Sequence, residues 1–156
     1  MDAVAALRKA DLFRELPEKG LRAIAGIAEP VTLSAGDVVV VEGGPSDAIY
    51  VIESGTCRIF KEKGGEAMGV VMVHAFDQFG AASLLDRAPR SATVIAVEPT
   101  ELLAFRAERL EKVLAKDPEG AAAFYRALAV SLFRRLRRTT DDLGIARLAA
   151  AERLAH

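Results

Sequence analysis

The middle of the chain, residues 30–106, constrains the fold most, because its apolar residues fall in short runs separated by glycine or proline turns. These runs are rich in β-branched and aromatic residues: Val38–Val41, Ile49–Ile52, Cys57–Phe60, Gly69–Val73, Ala92–Val97 and Leu102–Phe105. Such spacing predicts antiparallel strands in a sandwich or barrel. The turns leave no room for crossover helices, so a doubly wound parallel sheet is disfavoured.

Helical periodicity flanks this region on both sides. Before it, apolar residues recur at helical spacing, and Pro17 interrupts them: Leu7, Leu12, Phe13 and Leu16, then Leu21, Ile24 and Ile27. After it, Asp117-Pro118 predicts a helix start, with Asp as the N-cap and Pro at the first helical position. We therefore predict an α+β fold that is mainly β. It is a jelly-roll β-roll (double-stranded β-helix) flanked by N-terminal helices and a long C-terminal helix.

The C-terminal helix carries an apolar seam with heptad-like steps of four and three: Leu132, Leu136, Thr139, Leu143, Ala146 and Ala150. A seam of this kind predicts a symmetric homodimer through the helix. The alternative is that the helix packs back on its own domain. Gly144 disfavours helix by about 1 kcal/mol relative to Ala, so we expect a bend or an end there.

Composition excludes several classes of protein. The 156 residues carry 21 basic and 22 acidic side chains, a net charge of −1, which argues against DNA or RNA binding through phosphates. Cys57 is the single cysteine, so no intramolecular disulfide or multi-cysteine metal site is possible, and we expect it in the core. Apolar runs are too short to cross a membrane, and the N-terminus does not resemble a signal peptide. A cytoplasmic protein is expected.

Catalytic and metal-binding patterns are absent from the sequence. His74 and His156 stand alone, with no second ligand at metal spacing. No Ser/His/Asp or paired-carboxylate arrangement has credible spacing. We expect no enzyme activity, no metal and no cofactor. Four arginines, Arg134, Arg135, Arg137 and Arg138, precede Asp141 and Asp142 at spacings that permit ion pairs, and we expect a solvated face there.

Residues 79–94, with the sequence FGAASLLDRAPRSATV, carry most of the chemical information. Gly80 permits a tight turn, and Ala82–Leu85 predict a single helical turn. The free amides and dipole at such a helix start favour an anion, phosphate in particular. Arg90 supplies a planar guanidinium that can hold phosphate through two hydrogen bonds. The alternative is that Arg90 is a solvated or structural arginine.

This segment resembles the phosphate-binding cassette of the cyclic nucleotide-binding domain family. The segments Leu12–Leu16, Ala35–Gly43 and Asp47–Gly55 resemble the opening helix of that family and its strands and glycine turns. The resemblance extends over Leu12–Leu143 and implies one domain with the nucleotide in the β-roll. Its expected parts are helical residues 1–29, the β-roll 30–106 with the cassette 79–94, and C-terminal helices 107–156.

The resemblance also implies roles for individual residues. Arg90 is expected to pair with the cyclic phosphate, the amides of Ser83 and Ser91 to bond its oxygens, and the Gly80 carbonyl to face the ribose. Residues 134–144 resemble the central helix of the bacterial activators in this family. That likeness places Thr139 and Thr140 against the base, from the same and from the partner subunit. Thr139 has an alternative role as a polar residue that sets the helix register. The implied ligand is cyclic AMP or cyclic GMP, and the implied site is Gly80, Ala81, Ala82, Ser83, Arg90, Ser91, Thr139 and Thr140.

One residue departs from the family pattern. The cassette glutamate that accepts a hydrogen bond from the ribose 2′-hydroxyl is replaced by Ala81, and Asp86 lies at the far end of the short helix. Losing a charged acceptor for a hydroxyl costs roughly 1.5–3 kcal/mol. Arg90 also loses a nearby negative charge, which leaves the pocket more positive. Three outcomes are compatible with this sequence: weak cyclic nucleotide binding, a different ligand, which the more positive pocket could make more anionic, and an empty pocket.

Two functional hypotheses follow. The first is a ligand sensor in which cyclic nucleotide binding moves the C-terminal helix of a dimer. The few residues after Gly144 cannot form a helix-turn-helix domain, so operator binding by this chain is not expected, and an effector protein is a possible partner. The second hypothesis, suggested by Ala81, is a degenerate interaction or dimerisation module that no longer binds cyclic nucleotide, or that binds another anion.

Overall fold

The chain folds into helices on either side of an eight-stranded β-roll. The computed structural model describes residues 2–155, with the backbone but not the side chain of Ser83. The helices are α1 (Ala3–Lys9), α2 (Glu18–Ala25), α3 (Ser83–Asp86), α4 (Ala107–Ala115) and α5 (Pro118–Ala155). The strands are β1 (Glu29–Leu33), β2 (Val38–Val40), β3 (Ala48–Ser54), β4 (Cys57–Lys63), β5 (Glu66–Val73), β6 (Gln78–Phe79), β7 (Thr93–Ala96) and β8 (Thr100–Arg106).

The strands form two four-stranded antiparallel sheets, which we call sheet I and sheet II. Sheet I has the order β1-β8-β3-β6, and sheet II has the order β2-β7-β4-β5. Side chains from the facing sides of both sheets fill the interior of the roll: Ile52, Phe79 and Leu102 from sheet I, with Cys57, Val73, Val94 and Ala96 from sheet II. The predicted mainly β jelly roll, with flanking helices, is confirmed.

The other face of sheet I packs against the helices. Three rings connect this second core: Phe13 lies 5.5 Å from Phe105 of β8 and 5.5 Å from Phe124 of α5, measured between ring centroids. All three side chains are fully buried. Aromatic contacts of this kind contribute beyond the burial of their area. The N-terminal segment, sheet I and the start of α5 therefore form one packed body.

Two details of the N-terminal half differ from the sequence prediction. Helix α1 ends at Lys9, so Leu12, Phe13 and Leu16 lie in turns rather than on one helix face, although all three are buried. Strand β1 was not predicted, because the dipeptide Glu29-Pro30 indicates the end of the preceding helical pattern. Pro30 pairs with Leu103 on the edge strand of sheet I, where a missing N–H is tolerated.

Helix α5 begins as the sequence predicts and continues further. The Gly120 N–H donates to Asp117 Oδ1 at 3.0 Å, which confirms the cap at Asp117 and the start at Pro118. The expected bend or end at Gly144 is wrong, since the helix continues to Ala155. A Cβ at Gly144 would have no neighbour within 4 Å, so this glycine weakens the helix only through its propensity.

Candidate ligand-binding site

The loop between β2 and β3, residues 41–47, is fastened to the end of the cassette. The Arg90 N–H donates to the Gly44 carbonyl at 2.9 Å, and the Gly43 N–H donates to the Arg90 carbonyl at 2.8 Å. The Ser46 hydroxyl donates to the Ala88 carbonyl. These hydrogen bonds hold the two loops together.

The side chain of Arg90 is buried against the β2–β3 loop, with 5% of its surface exposed. Its Nη2 donates to the Ala48 carbonyl at 2.8 Å and its Nε to the Pro45 carbonyl at 3.2 Å. Carbonyl oxygens carry only partial negative charge, so they orient the guanidinium without neutralising it. The arrangement holds a buried guanidinium in a fixed orientation, and a guanidinium suits an anionic ligand.

Gly80 lies against this guanidinium. Its φ of +88° is in the left-handed region. A Cβ at this position would lie 2.5 Å from Arg90 Nη1 and 2.9 Å from the Ala48 carbonyl oxygen. The corner between β6 and α3 therefore requires glycine, both for its backbone angle and for the approach of Arg90.

Asp47 supplies a negative charge that the sequence analysis missed. Its carboxylate is 3.8 Å from Arg90 Nη2 and 3.7 Å from Arg106 Nη1, and its side chain is half exposed. The sequence placed Asp47 only in the strand pattern after a glycine turn. Its pairing depends on β8, whose last residue is Arg106, lying beside β3. The β2–β3 loop thus supplies a carboxylate near the Arg90 guanidinium.

Tyr50 lies on the roll side of the same site. Its ring stacks on Phe79 with centroids 5.0 Å apart, and the Arg90 guanidinium carbon is 5.8 Å from the Tyr50 centroid. Burial raises the pKa of the Tyr50 phenol above its ordinary value, and the nearby Arg90 charge opposes that rise. The phenol stays protonated at neutral pH, so it remains a hydrogen-bond donor next to the guanidinium.

The remaining cassette residues occupy different environments. Ala81 is buried with Leu84 in the core between sheet I and the helices. Ala82 and Ser91 are exposed. Helix α3 starts at Ser83, one residue later than predicted, and the Ser83 side chain lies outside the described residues.

Thr139 and Thr140 both lie on the exposed part of α5. The Thr139 hydroxyl donates to the Arg135 carbonyl of its own helix at 3.1 Å. Within residues 2–155, no hydrogen bond or ion pair joins either threonine to the cassette. A single chain thus brings Gly80 and Arg90 together but leaves these two threonines apart from them.

The arginine-rich segment of α5 is exposed as expected. Arg134, Arg135, Arg137 and Arg138 form no ion pair with Asp141 or Asp142 in the part of the chain that the structure describes. The permitted pairs are therefore not formed.

Two other kinds of site are absent from the described residues. They contain no cluster of three or more His, Cys, Asp or Glu side chains that could hold a metal ion. No helix among them is long and apolar enough to cross a membrane.

An apolar groove of about 400 Å³ connects the cassette to α5. Leu85 lines it from the cassette side, and Leu128, Leu132 and Leu136 line it from the helix. Leu132 and Leu136 also belong to the predicted heptad seam. The groove therefore places the short cassette helix next to the surface through which a dimer is predicted.

Comparison with known proteins settles the family. The family described as "Cyclic nucleotide-binding domain" matches residues 30–117. The chain belongs to this family. The match includes the whole roll, the cassette and α4, and it confirms the resemblance stated from the sequence.

Individual proteins of known structure or function are also similar to this chain over most of its length. A CRP-like cAMP-activated global transcriptional regulator of Mycobacterium tuberculosis is 30% identical over 139 residues, 88% of this chain and 60% of the relative. The N-terminal domain of a transcriptional regulator from Streptomyces coelicolor is 34% identical, with a TM-score of 0.73, over 87% of this chain and 95% of that one. The catabolite activator protein of Thermus thermophilus is 30% identical, with a TM-score of 0.76, over 87% of this chain and 62% of that one. The chain therefore spans about three fifths of the length of the mycobacterial and Thermus regulators.

Proposed function

We propose that this domain is a non-enzymatic sensor that binds cyclic AMP or cyclic GMP in the β-roll and couples binding to movement of α5 in a homodimer. The observation that carries the proposal is the buried Arg90 guanidinium against Gly80, inside a cassette of the cyclic nucleotide-binding domain family. A buried cation with carbonyl partners favours an anionic group of matching shape. The mycobacterial relative is described as cAMP-activated, which supports cyclic AMP as the ligand.

In this proposal, Arg90 pairs with the cyclic phosphate, and the amides of Ser83 and Ser91 donate to its oxygens. The Gly80 carbonyl faces the ribose, next to the short stretch of Ala81 and Ala82. Asp47 keeps its place beside Arg90 in the absence of ligand and competes with the phosphate for the guanidinium. Because Ala81 offers no carboxylate to the 2′-hydroxyl, we expect binding to be weaker than a cassette glutamate would allow.

The response to the ligand runs through the groove between α3 and α5. Closure of the cassette on the phosphate shifts Leu85, which lines that groove together with Leu132 and Leu136. Thr139 and Thr140 then contact the base, one from the same subunit and one from the partner subunit. An effector protein or domain reads the new position of α5, so the chain itself needs no contact with DNA.

A second candidate function rests on two observations at the same site. Ala81 is buried in the helix-side core, and the Arg90 donors already engage the Pro45 and Ala48 carbonyls. These contacts stabilise the fold without a ligand. They favour a dimerisation or interaction module whose pocket no longer takes cyclic nucleotide, or takes a different anion.

Calorimetric titration with cyclic AMP and cyclic GMP tests the two candidates. The protein is unfolded and refolded first, so that no ligand is carried over. We expect saturable binding by the parent chain. If the Glu side chain of Ala81→Glu leaves the core for the pocket and the variant keeps the thermal midpoint of the parent, we expect a gain of about ten- to a hundredfold in affinity. Arg90→Lys is expected to weaken binding about tenfold or more, because lysine lacks the bidentate fork. Arg87→Lys, on the exposed side of the cassette, is the matched control and is expected to bind like the parent.

Each outcome of this titration decides between the candidates. No heat from the parent at millimolar ligand, with binding by Ala81→Glu, rejects the sensor and favours the module with a degenerate pocket. Equal binding by the parent and Arg90→Lys also rejects the proposed site. Thermal unfolding of each variant, compared with the parent, separates loss of binding from loss of fold.

A further inference from the structure

The outward face of sheet II carries a row of apolar residues with one arginine among them. The inward face is set by Cys57, Val94 and Ala96, which are buried in the roll. Side chains alternate along a strand, so the residues between them point outward. Register pairs Val38 with Ile95, Ile95 with Arg58 and Arg58 with Met72, which makes one continuous row across all four strands.

This row is apolar and accessible. Val38 is 52% exposed and Met72 is 42% exposed, and Val97, two residues beyond Ile95 on the same strand path, is 40% exposed. Ile95 and Arg58, which lie between Val38 and Met72 in the row, are partly buried. Outward sheet faces of soluble proteins usually carry polar side chains, and an apolar row rimmed by polar groups marks a contact surface.

Arg58 at the centre of the row is unusual in its contacts. Its guanidinium lies over the Phe60 ring, 4.8 Å from the centroid, and its Nε is buried without a hydrogen-bond partner. No carboxylate of residues 2–155 is within 4 Å of its guanidinium. A buried donor without a partner destabilises the isolated fold, so stability alone does not account for an arginine at this position.

We propose that this face, centred on Arg58 and flanked by Val38, Ile95 and Met72, docks another protein through a carboxylate surrounded by apolar side chains. Arginine, methionine and aromatic residues are enriched at the centres of protein interfaces. A carboxylate placed on the open edge of the Arg58 guanidinium would take its unused donors. The proposal concerns a surface on the outside of the roll, and it does not depend on the proposed ligand.

The chemistry of the face favours a different protein over other occupants. A second copy of this chain on the same face would bring two Arg58 side chains together, because a two-fold interface pairs identical patches. The row itself carries no acidic residue to separate them. A nucleic acid would need several cations along its phosphates. The row has one arginine among apolar residues, so it lacks the cations that a nucleic acid would need.

A random-peptide phage library, selected on the parent protein and counter-selected on Arg58→Gln, tests the proposal. We expect the enriched peptides to carry Asp or Glu next to apolar residues. Synthesised and titrated by fluorescence anisotropy, they should bind Arg58→Gln about tenfold more weakly or worse, and also lose affinity for Met72→Ser. Arg126→Gln, an exposed arginine of α5, is the control and should bind like the parent.

Other outcomes of the selection overturn the proposal. Peptides without acidic residues, peptides that bind Arg58→Gln as well as the parent, or no peptide that discriminates between the two, all reject an acidic partner. Self-association of the parent that Arg58→Gln abolishes assigns the face to a second copy instead.

A measurement of stability separates this role from a structural one. Arg58→Met keeps an unbranched apolar chain over Phe60 and removes the unsatisfied donor. If Arg58 is kept for binding, the thermal midpoint of Arg58→Met should equal or exceed that of the parent. A lower midpoint would mean that Arg58 supports the fold, and it would overturn the proposal. Cyclic nucleotide titration of Arg58→Gln, compared with the parent, keeps the test independent of the ligand site.

Discussion

The two halves of helix α5 differ in what stabilises them. From Pro118 to about Val130, one side of the helix is buried in the core against the Phe13 and Phe105 rings, with Phe124 and Leu128 fully enclosed. Beyond that point, large apolar side chains are open to solvent: Phe133 at 62%, Leu136 at 60% and Leu143 at 55% exposed. Residue types are similar in both halves. The first half is held by its own domain, whereas beyond Leu132, which packs at the edge of that core, nearly every described residue of the helix is exposed.

This difference shows why helix propensity and tertiary packing must be considered separately. Alanine, leucine and arginine sustain the second half as a helix by propensity, but an isolated helix of that length is marginal in water. An exposed apolar seam therefore indicates a partner that covers it. The predicted homodimer supplies one, and the comparison gives a direct way to test it.

Paired phenylalanine substitutions give the largest expected contrast. Phe124→Ala removes a fully buried ring 5.5 Å from Phe13, which should lower the free energy of unfolding by about 3–5 kcal/mol. Phe133→Ala removes an exposed ring and should change it by less than about 0.5 kcal/mol. Urea unfolding at low protein concentration measures both. Equal losses would mean that the second half also packs on its own domain.

Paired leucine substitutions test what covers the second half. Leu143 lies on the heptad seam, and Leu148 lies on the opposite side of the helix. A two-fold dimer loses the Leu143 side chain twice, so Leu143→Ala should raise the dimer Kd about a hundredfold or more. Leu148→Ala should leave the Kd unchanged. Sedimentation over a concentration series measures this, and the reverse order would place the interface on the other face.

Paired glycine substitutions contrast the cassette with the exposed helix. At Gly80 an alanine meets Arg90 and the Ala48 carbonyl at a positive φ, which costs about 1–3 kcal/mol and should weaken ligand binding. At Gly144 an alanine meets nothing and should stabilise the helix by about 1 kcal/mol. Calorimetry and helical circular dichroism report the two effects. Tighter ligand binding by Gly80→Ala would contradict the described corner.

The smallest expected effect concerns Cys57, buried in the roll interior. Burial raises the pKa of the Cys57 thiol above its ordinary value of 9.0. The unfolded chain therefore loses this proton before the folded chain does, so the free energy of unfolding should fall as the pH rises above about 9. Cys57→Ala should show a shallower decline over the same range, with the decline due to Tyr50 retained. An identical slope in both proteins would mean that the thiol is not shielded.

Local patterns predicted the regular parts of this molecule. Short β-branched runs between glycine turns predicted six of the eight strands of the roll, all except β1 and β6, because alternation and turn chemistry depend on neighbouring residues. Asp117-Pro118 predicted the start of α5 to the residue, because a cap depends on only three or four positions. The segment 79–94 was enough to identify the family. The structure places Gly80 and Arg90, ten residues apart in this segment, against each other.

Features that depend on distant residues were decided only by the tertiary structure. Strand β1 was missed because Pro30 is tolerated at a sheet edge, and the sequence does not show which strand is at the edge. Asp47 meets Arg90 and Arg106 because β3 and β8 pair across more than fifty residues. Arg58 is set in an apolar row by the register of four strands. Sequence alone determined most of the elements and the family, through interactions between near neighbours. The pairing of sheets determined the environment of each charge, because burial and counter-ions come from residues that are far apart along the chain.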